Sequence, residues 1–325
     1  MHYTAGTLGH EIMMHQNAYG FDADQVVEHY RGPLPSASIV LPFYNARRTI
    51  HAVIGHLLQA ISVVTSAHPH WRYEIILIDD GSERYPAAIC LGDKEKERVC
   101  IEVIPHQGRC FARNHALSLA RNHIIIFIDA DVLLHPSLLL HHLTLQAVCE
   151  HQGKGCISFS LFDFHPLSFL PRSSFLVEQP TPNDWRLCCV YQEAWYGCEQ
   201  DKCFAGRRFQ PLADTDMLRK WPSGLYGPWM LPNMVLGGFF TVAREKALAV
   251  GGCDPLFPSY SFEETSLITK VIASFHDYVI PLTRRFALHL EDTTIGETRD
   301  MKYALFRKAH QRYFEVFLAQ PWKFC

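Results

Sequence analysis

The amino-acid sequence predicts an α/β fold, a mostly parallel central sheet flanked by helices. Three observations carry this expectation. Ile124-Ile125-Ile126-Phe127-Ile128 is an unbroken apolar run with three β-branched residues in a row, the pattern of a strand buried on both faces. That run and a second one at residues 73–78 both end abruptly in acid, as Asp129-Ala130-Asp131 and Asp79-Asp80. Between such runs lie segments with apolar residues every three and four positions, so that strands alternate with crossover helices.

Taken in order, residues 38–42 form the first strand, which Pro42 is expected to end. Residues 49–64 follow as a helix whose stripe is Ile50, Val53, Ile54, Leu57, Leu58 and Ile61. The second strand spans 73–78, a weaker third spans 99–104, and residues 113–121 are helical before the strand at 124–128. Residues 138–149 read as a helix and 156–162 as a strand. Periodicity fails from 163 to 233, where Pro, Trp, Cys and Gly crowd together; a long irregular stretch with many aromatics reads as an ordered, functional insertion. Residues 235–242 are a strand and a helix starts at 244. Residues 266–274 are helical, 278–281 and 285–290 are two short strands, and 301–318 are a closing helix. Residues 1–35 read as an appendage: Val26, Val27 and Tyr30 line one helical face, and Gly32-Pro33-Leu34-Pro35 reads as a linker. The expected division is therefore 1–35, a catalytic-sized domain at 36–297 that includes the insertion, and a C-terminal helix within 298–325.

The bulk numbers narrow the class. A chain of 325 residues, 48% hydrophobic and 19% charged, is globular rather than disordered. A net charge of −3 offers no basic surface for nucleic acid. Eleven cysteines are an odd number, and Met1-His2-Tyr3-Thr4-Ala5 does not open a secretory leader, so reduced thiols and a cytoplasmic location are expected. The longest apolar runs are strand-sized, and no transmembrane segment is expected. Cys188, Cys189, Cys198 and Cys203 cluster near Trp185, Trp195 and Tyr196, but their spacing is not a standard zinc knuckle. Recognition of a ligand by those aromatic faces is the better use of that segment. Gly-x-Gly-x-x-Gly and Walker loops are both absent.

The acid at the strand ends suggests chemistry. In open α/β sheets ligands bind outside the carboxyl ends of the strands. Two carboxylates spaced i, i+2 there suit a divalent ion such as Mg²⁺ or Mn²⁺, although an acidic turn would look the same.

Several motifs fall in a familiar order. Ser38-Ile-Val-Leu-Pro-Phe-Tyr-Asn45, Glu74-Ile-Ile-Leu-Ile-Asp-Asp-Gly-Ser82, Gly108 with Ala112-Arg113-Asn114, Phe127-Ile-Asp-Ala-Asp131, Gly237-Gly-Phe-Phe-Thr-Val-Ala-Arg244 and Gly251-Gly-Cys-Asp254 resemble family 2 glycosyltransferases of the GT-A (Rossmann-like) fold. The resemblance covers roughly residues 36–292. It implies a nucleotide-diphosphate sugar as donor, inversion at the anomeric carbon, and a divalent metal on the leaving diphosphate. Asp131 is then the direct metal ligand, and Asp129 meets the ribose or the metal through water. His289 in Phe286-Ala-Leu-His-Leu290 looks like the family's late metal-binding histidine. Pro42, Tyr44, Asn45 and Ala130 fall at nucleotide-binding positions. Tyr44 can wall a pyrimidine, and Asp80 can accept the imide N–H of uracil, which points to a UDP-sugar. Arg113 lies near the phosphates or pairs with Asp80 or Asp129, with structural pairing favoured. Glu264 aligns with the family's catalytic Asp, the second of an acidic pair; since this chain has Glu there, Glu263 is the alternative base. An acidic pair at a helix N-terminus would also serve the helix dipole.

The expected function is metal-dependent, non-processive sugar transfer to a glycan, lipid, peptide or small-molecule acceptor. The family's Gln-x-x-Arg-Trp signature of processive synthases is absent. A catalytically silent nucleotide- or glycan-binding protein of the same fold is the alternative from another class.

Overall fold

The computed structural model describes residues 3–15, 17, 19–167, 230–258, 260–291 and 299–322. Among these, eight strands form one mixed sheet. They are β1 (Ala37–Phe43), β2 (Tyr73–Asp79), β3 (Cys100–Val103), β4 (Ile124–Ile128), β5 (Val132–Leu133), β6 (Cys156–Pro166), β7 (Phe239–Ala243) and β8 (Tyr278–Glu291). The spatial order is β3-β2-β1-β4-β7-β6-β8-β5. β1, β2, β3 and β4 are mutually parallel, as are β6 and β8; β7 runs antiparallel to β4 and β6, and β5 antiparallel to β8. The chain leaves β1 toward β2 and β3, then returns to β4 on the other side of β1. This reversal opens a crevice at the carboxyl ends of β1 and β4.

Both faces of the sheet are covered, which explains the unbroken apolar strands. Ile124, Ile126 and Ile128 of β4 pack with Ile39, Leu41 and the stripe Ile50, Val53, Ile54, Leu57 and Ile61 of the helix Ile50–Ala67. Ile125 and Phe127 face the opposite way, toward Ala112 and Ala116 of the helix Arg109–Leu119 and Leu267, Ile268 and Val271 of the helix Glu263–Phe275. The helix Ile50–Ala67 is long and apolar enough to cross a membrane by length and composition, contrary to the expectation from run lengths; here its stripe is seated on the sheet.

Several boundaries differ from those read in the sequence. β1 runs through Pro42 to Phe43; pairing with β4 stops at Val40, so the proline sits where a missing donor is tolerated. The strand expected at 235–242 starts only at Phe239, after Gly237-Gly238, and runs antiparallel to β4 and β6. The strands expected at 278–281 and 285–290 are one strand, β8, paired along β6 with a register shift between Ser160 and Phe162. Both ends of the stretch expected to be irregular at 163–233 are regular: Asp163, Phe164, His165 and Pro166 continue β6 opposite Leu288 to Glu291, and Met230–Asn233 is a short helix. Cys188, Cys189, Cys198 and Cys203 lie outside the described residues.

The N-terminal residues are packed into the body. Leu8 and Ile12 join the main core. Asn17 donates to Val279 O and accepts from Val279 N at 3.0 and 2.8 Å, and Asp24 accepts from Thr283 N and Arg284 N. These side chains occupy backbone groups of β8 that would otherwise stay open to another strand. The helix Arg299–Arg312 and the turn Tyr313–Phe317 close the other side, with Tyr313 and Phe317 fully buried.

Candidate active site

The carboxyl end of β4 turns sharply. Asp129 N donates to Gly238 O and Val132 N donates to Asp129 O, both at 3.1 Å. The carbonyl of Ala130 accepts from Thr49 Oγ1 at 2.6 Å. The chain then enters β5, which pairs with β8 so that Val132 lies opposite His289, and Leu290 N donates to Asp131 O. Strand pairing thus brings Asp131 and His289 together, with Nε2 3.8 Å from Asp131 Oδ1. That Oδ1 and His289 Nδ1 are buried and have no hydrogen-bond partner among the described residues. The imidazole is fixed by Phe162 and Phe164, whose centroids lie 5.8 and 5.2 Å from its own.

Asp129 points elsewhere. Its Oδ1 accepts from Arg113 Nη2 at 2.8 Å, and Arg113 Nη1 donates to Glu263 Oε1 at 2.8 Å. Arg113 also donates to Gly237 O at 3.2 Å and stands 3.7 Å from Glu264. This guanidinium is the buried hub of the acidic groups. Burial opposes its charge, and Asp129, Glu263 and Glu264 outweigh burial, raising its pKa above the ordinary arginine value. Of the two pairings weighed for Arg113, the structure shows the one with Asp129.

Glu263 and Glu264 begin a helix, but Ser261 and Phe262 before them both have left-handed backbone, φ 77° and 71°. Phe262 is locked in that shape by the rings of Phe257, Phe306 and Tyr313. Glu263 is sealed against Arg113. Glu264 Oε1 accepts from Gly237 N at 3.1 Å, while its Oε2 has no hydrogen-bond partner among the described residues. Burial, reinforced by the charge of Glu263 and only partly offset by Arg113, pushes Glu264 up to about 8.

The ends of β1 and β2 form the second half of the rim. Asp79 is a structural cap: its carboxylate accepts from Ser82 N and Ala87 N at 2.9 and 2.7 Å. Asp80 accepts from Gln107 N at 2.8 Å and Gly108 N at 2.9 Å. Asn45, with φ 51°, ties two loops by accepting from Arg84 N and Tyr85 N and donating its own N–H to Ser82. Tyr44 is 48% exposed and stacks on His106.

Residues 38–150 match the family model described as Glycosyl transferase family 2. That match is confined to the part of the chain that carries β1 to β5 and the first crossover helices. A dolichyl-phosphate beta-glucosyltransferase of Drosophila melanogaster is 28% identical over 104 residues, 30% of this chain and 32% of that protein. An undecaprenyl-phosphate 4-deoxy-4-formamido-L-arabinose transferase of Yersinia pestis (strain Pestoides F) is 29% identical over 103 residues, 31% of this chain and 30% of that protein. The match thus spans about a third of each of these curated relatives. The mannosyltransferase PcManGT from Pyrobaculum calidifontis, solved with GDP-Man and Mn²⁺, superposes with a TM-score of 0.52 at 13% identity, covering 89% of this chain and 70% of that one. That likeness shows a shared GT-A fold.

The donor set at Asp131 and His289 fits a divalent cation. A buried carboxylate oxygen without a hydrogen bond beside an imidazole nitrogen is an arrangement that a cation would complete. No third carboxylate, imidazole or thiol among the described residues joins them in a metal-binding cluster, so further ligands would come from phosphate or water.

Two residues at the rim of the site carried no role in the sequence reading. Arg109 opens the helix Arg109–Leu119; loss of hydration pulls its pKa down, and Asp129, Glu263 and Asp131 outweigh this and raise it. Its guanidinium also lies 5.9 Å from the centre of the Tyr260 ring. A cation directly after Gly108, at a helix N-terminus facing an acidic rim, was a usable signal. His106 is the other; nothing in Pro105-His106-Gln107-Gly108 by itself pointed to Asp80 and Tyr44.

Proposed function

We propose that this protein is a family 2 glycosyltransferase that moves a sugar from a nucleotide-diphosphate donor, a UDP-sugar first among them, to an acceptor hydroxyl with inversion, and that Glu264 is the base. The observation that carries this reading is the Glu264 carboxylate: one oxygen is anchored on Gly237 N, the other has no hydrogen bond, and the group is held near neutrality at about 8. A general base works best with a pKa near the operating pH. The buried Glu263, tied to Arg113, orients its neighbour rather than taking the proton.

The remaining residues are placed around the donor. Asp131 and His289 would hold a divalent ion, Mn²⁺ or Mg²⁺, which when bound offsets the charge of the departing diphosphate. Arg109 supplies a second positive charge at the same edge. Asp129, with Arg113 behind it, faces the ribose. Pro42 and Tyr44 wall the nucleoside, and Asn45 and Ala130 shape the loops around it. As the acceptor oxygen attacks the anomeric carbon, Glu264 takes its proton and the bond to the diphosphate breaks on the opposite face. The alternative, a silent binding protein, gives no reason for a buried carboxylate held near neutrality.

Six free cysteines among the described residues support a reducing, cytoplasmic setting. The test is donor hydrolysis by the full chain against a panel of nucleotide sugars with Mn²⁺, followed as released nucleotide diphosphate. Release that disappears in Glu264→Gln while donor binding persists supports the reading. Binding without release for every nucleotide sugar, under conditions that include candidate acceptors, leaves the silent protein as the better account.

A further inference from the structure

His106 lies in the loop between β3 and the helix Arg109–Leu119 and is oriented by Asp80. Its Nδ1 stands 2.8 Å from Asp80 Oδ2 and 3.0 Å from the Asp80 carbonyl oxygen. Both of these atoms accept, so Nδ1 carries the proton, and in the neutral ring Nε2 presents a lone pair. Among the described residues Nε2 has no partner, and the side chain is 54% exposed. The Tyr44 ring lies over the imidazole at 4.3 Å between centroids and 18° between planes. Asp80 itself is 3% exposed, and its two oxygens accept from Gln107 N and Gly108 N, so its carboxylate faces its own loop.

We propose that His106, oriented by Asp80 and roofed by Tyr44, reads the donor's nucleobase, its Nε2 accepting the ring N–H of uracil or guanine. This rests on the nucleotide-sugar reading given above and moves base recognition from Asp80 to the histidine that Asp80 holds. Because the two rings are nearly parallel, a base lying in the imidazole plane with its edge on Nε2 also lies nearly parallel to the Tyr44 ring. Uracil N3 and guanine N1 carry hydrogen and can donate there. Cytosine N3 and adenine N1 carry lone pairs, which would oppose the lone pair of Nε2. Only β1 separates β2 from β4, so the Asp80 and Asp129 rims are roughly 10 Å apart, two strand spacings. That is the reach of a nucleoside from its base to its diphosphate.

Isothermal titration calorimetry on the full chain with Mn²⁺ at pH 8 tests this, using UDP, GDP, CDP and ADP against wild type, His106→Ala and His106→Phe. The phenylalanine variant keeps a flat ring against Tyr44 and removes the Nε2 acceptor together with the Nδ1 donor to Asp80. Wild type should bind UDP or GDP at least about tenfold more tightly than CDP and ADP, the worth of one good hydrogen bond. Both variants should erase that margin, weakening UDP and GDP and leaving CDP and ADP unchanged or tighter once the opposing lone pair is gone, and whichever of UDP and GDP binds tighter to wild type names the base. A preference that survives in His106→Phe overturns the role of His106 and leaves the donor reading standing. Tighter binding of CDP or ADP by wild type overturns it as well. If none of the four binds, the nucleotide-sugar reading fails and this inference fails with it.

Discussion

Arg113 and Glu263 meet at 2.8 Å with side chains only 1% and 2% exposed. The two residues lie 150 positions apart in the chain. The arginine comes from the helix after β3, and the carboxylate from a helix start forced into place by two left-handed residues. Removing one partner of a buried pair strands the other charge in an apolar setting. Arg113→Ala should therefore lower unfolding free energy by about 3 kcal/mol or more, measured by urea denaturation. A loss below about 1 kcal/mol, the range of an exposed pair, would contradict this account.

The raised Glu264 sets a pH profile. A carboxyl pushed up to about 8 is mostly protonated at pH 7 and cannot accept a proton until it ionises. The rate should climb as pH rises through roughly 8 and level off above it, the apparent value belonging to the Glu263–Glu264 pair. Glu264→Gln should remove this limb and lower the chemical rate by about 10²–10⁴. A rate that is flat from pH 6 to 9 in single-turnover measurements, in the range about which a general base would ionise, would remove Glu264 as the base.

Asp131 should be separable from folding. Its buried Oδ1 has no hydrogen bond, so Asp131→Ala takes away an unsatisfied polar atom and should leave the melting temperature unchanged or higher. Turnover should drop by at least about 100-fold, and Mn²⁺ should no longer raise the melting temperature. Wild-type rates that persist in a chelator would exclude a metal role.

Gly237 is required by its neighbour. A Cβ there would sit 2.5 Å from Arg113 Nη2, and the same residue's N–H holds Glu264. Gly237→Ala should cost about 2 kcal/mol of stability through overpacking, and should also lower turnover by displacing both acidic groups. Normal stability and rate in this variant would show that the guanidinium can move aside freely.

Much of this was legible in the residues. The strands buried on both faces announce themselves because their apolar runs are local, and Asp129 and Asp131 follow one of them directly. Pro42 misled, because a proline ends a central strand but is tolerated where pairing with β4 has already stopped. β7 was found in the sequence but not its direction, since orientation depends on which neighbour the strand joins. Asp79 and Asp80 looked equivalent in sequence. In the structure one caps the turn at Ser82 and Ala87, and the other grips Gln107, Gly108 and His106.

By itself the sequence determined the α/β class, the acidic rim and the family motifs, because periodicity and strand-end chemistry are written in neighbouring residues. Only the tertiary structure decided which acids are committed to the protein and which remain open to a ligand. Asp129 and Glu263 are bound to Arg113; Asp131 meets His289 only through the pairing of β5 with β8; and Glu264 differs from Glu263 only in what surrounds it. Identical carboxylates diverge because charge, burial and hydrogen bonding act through space, from groups far away along the chain.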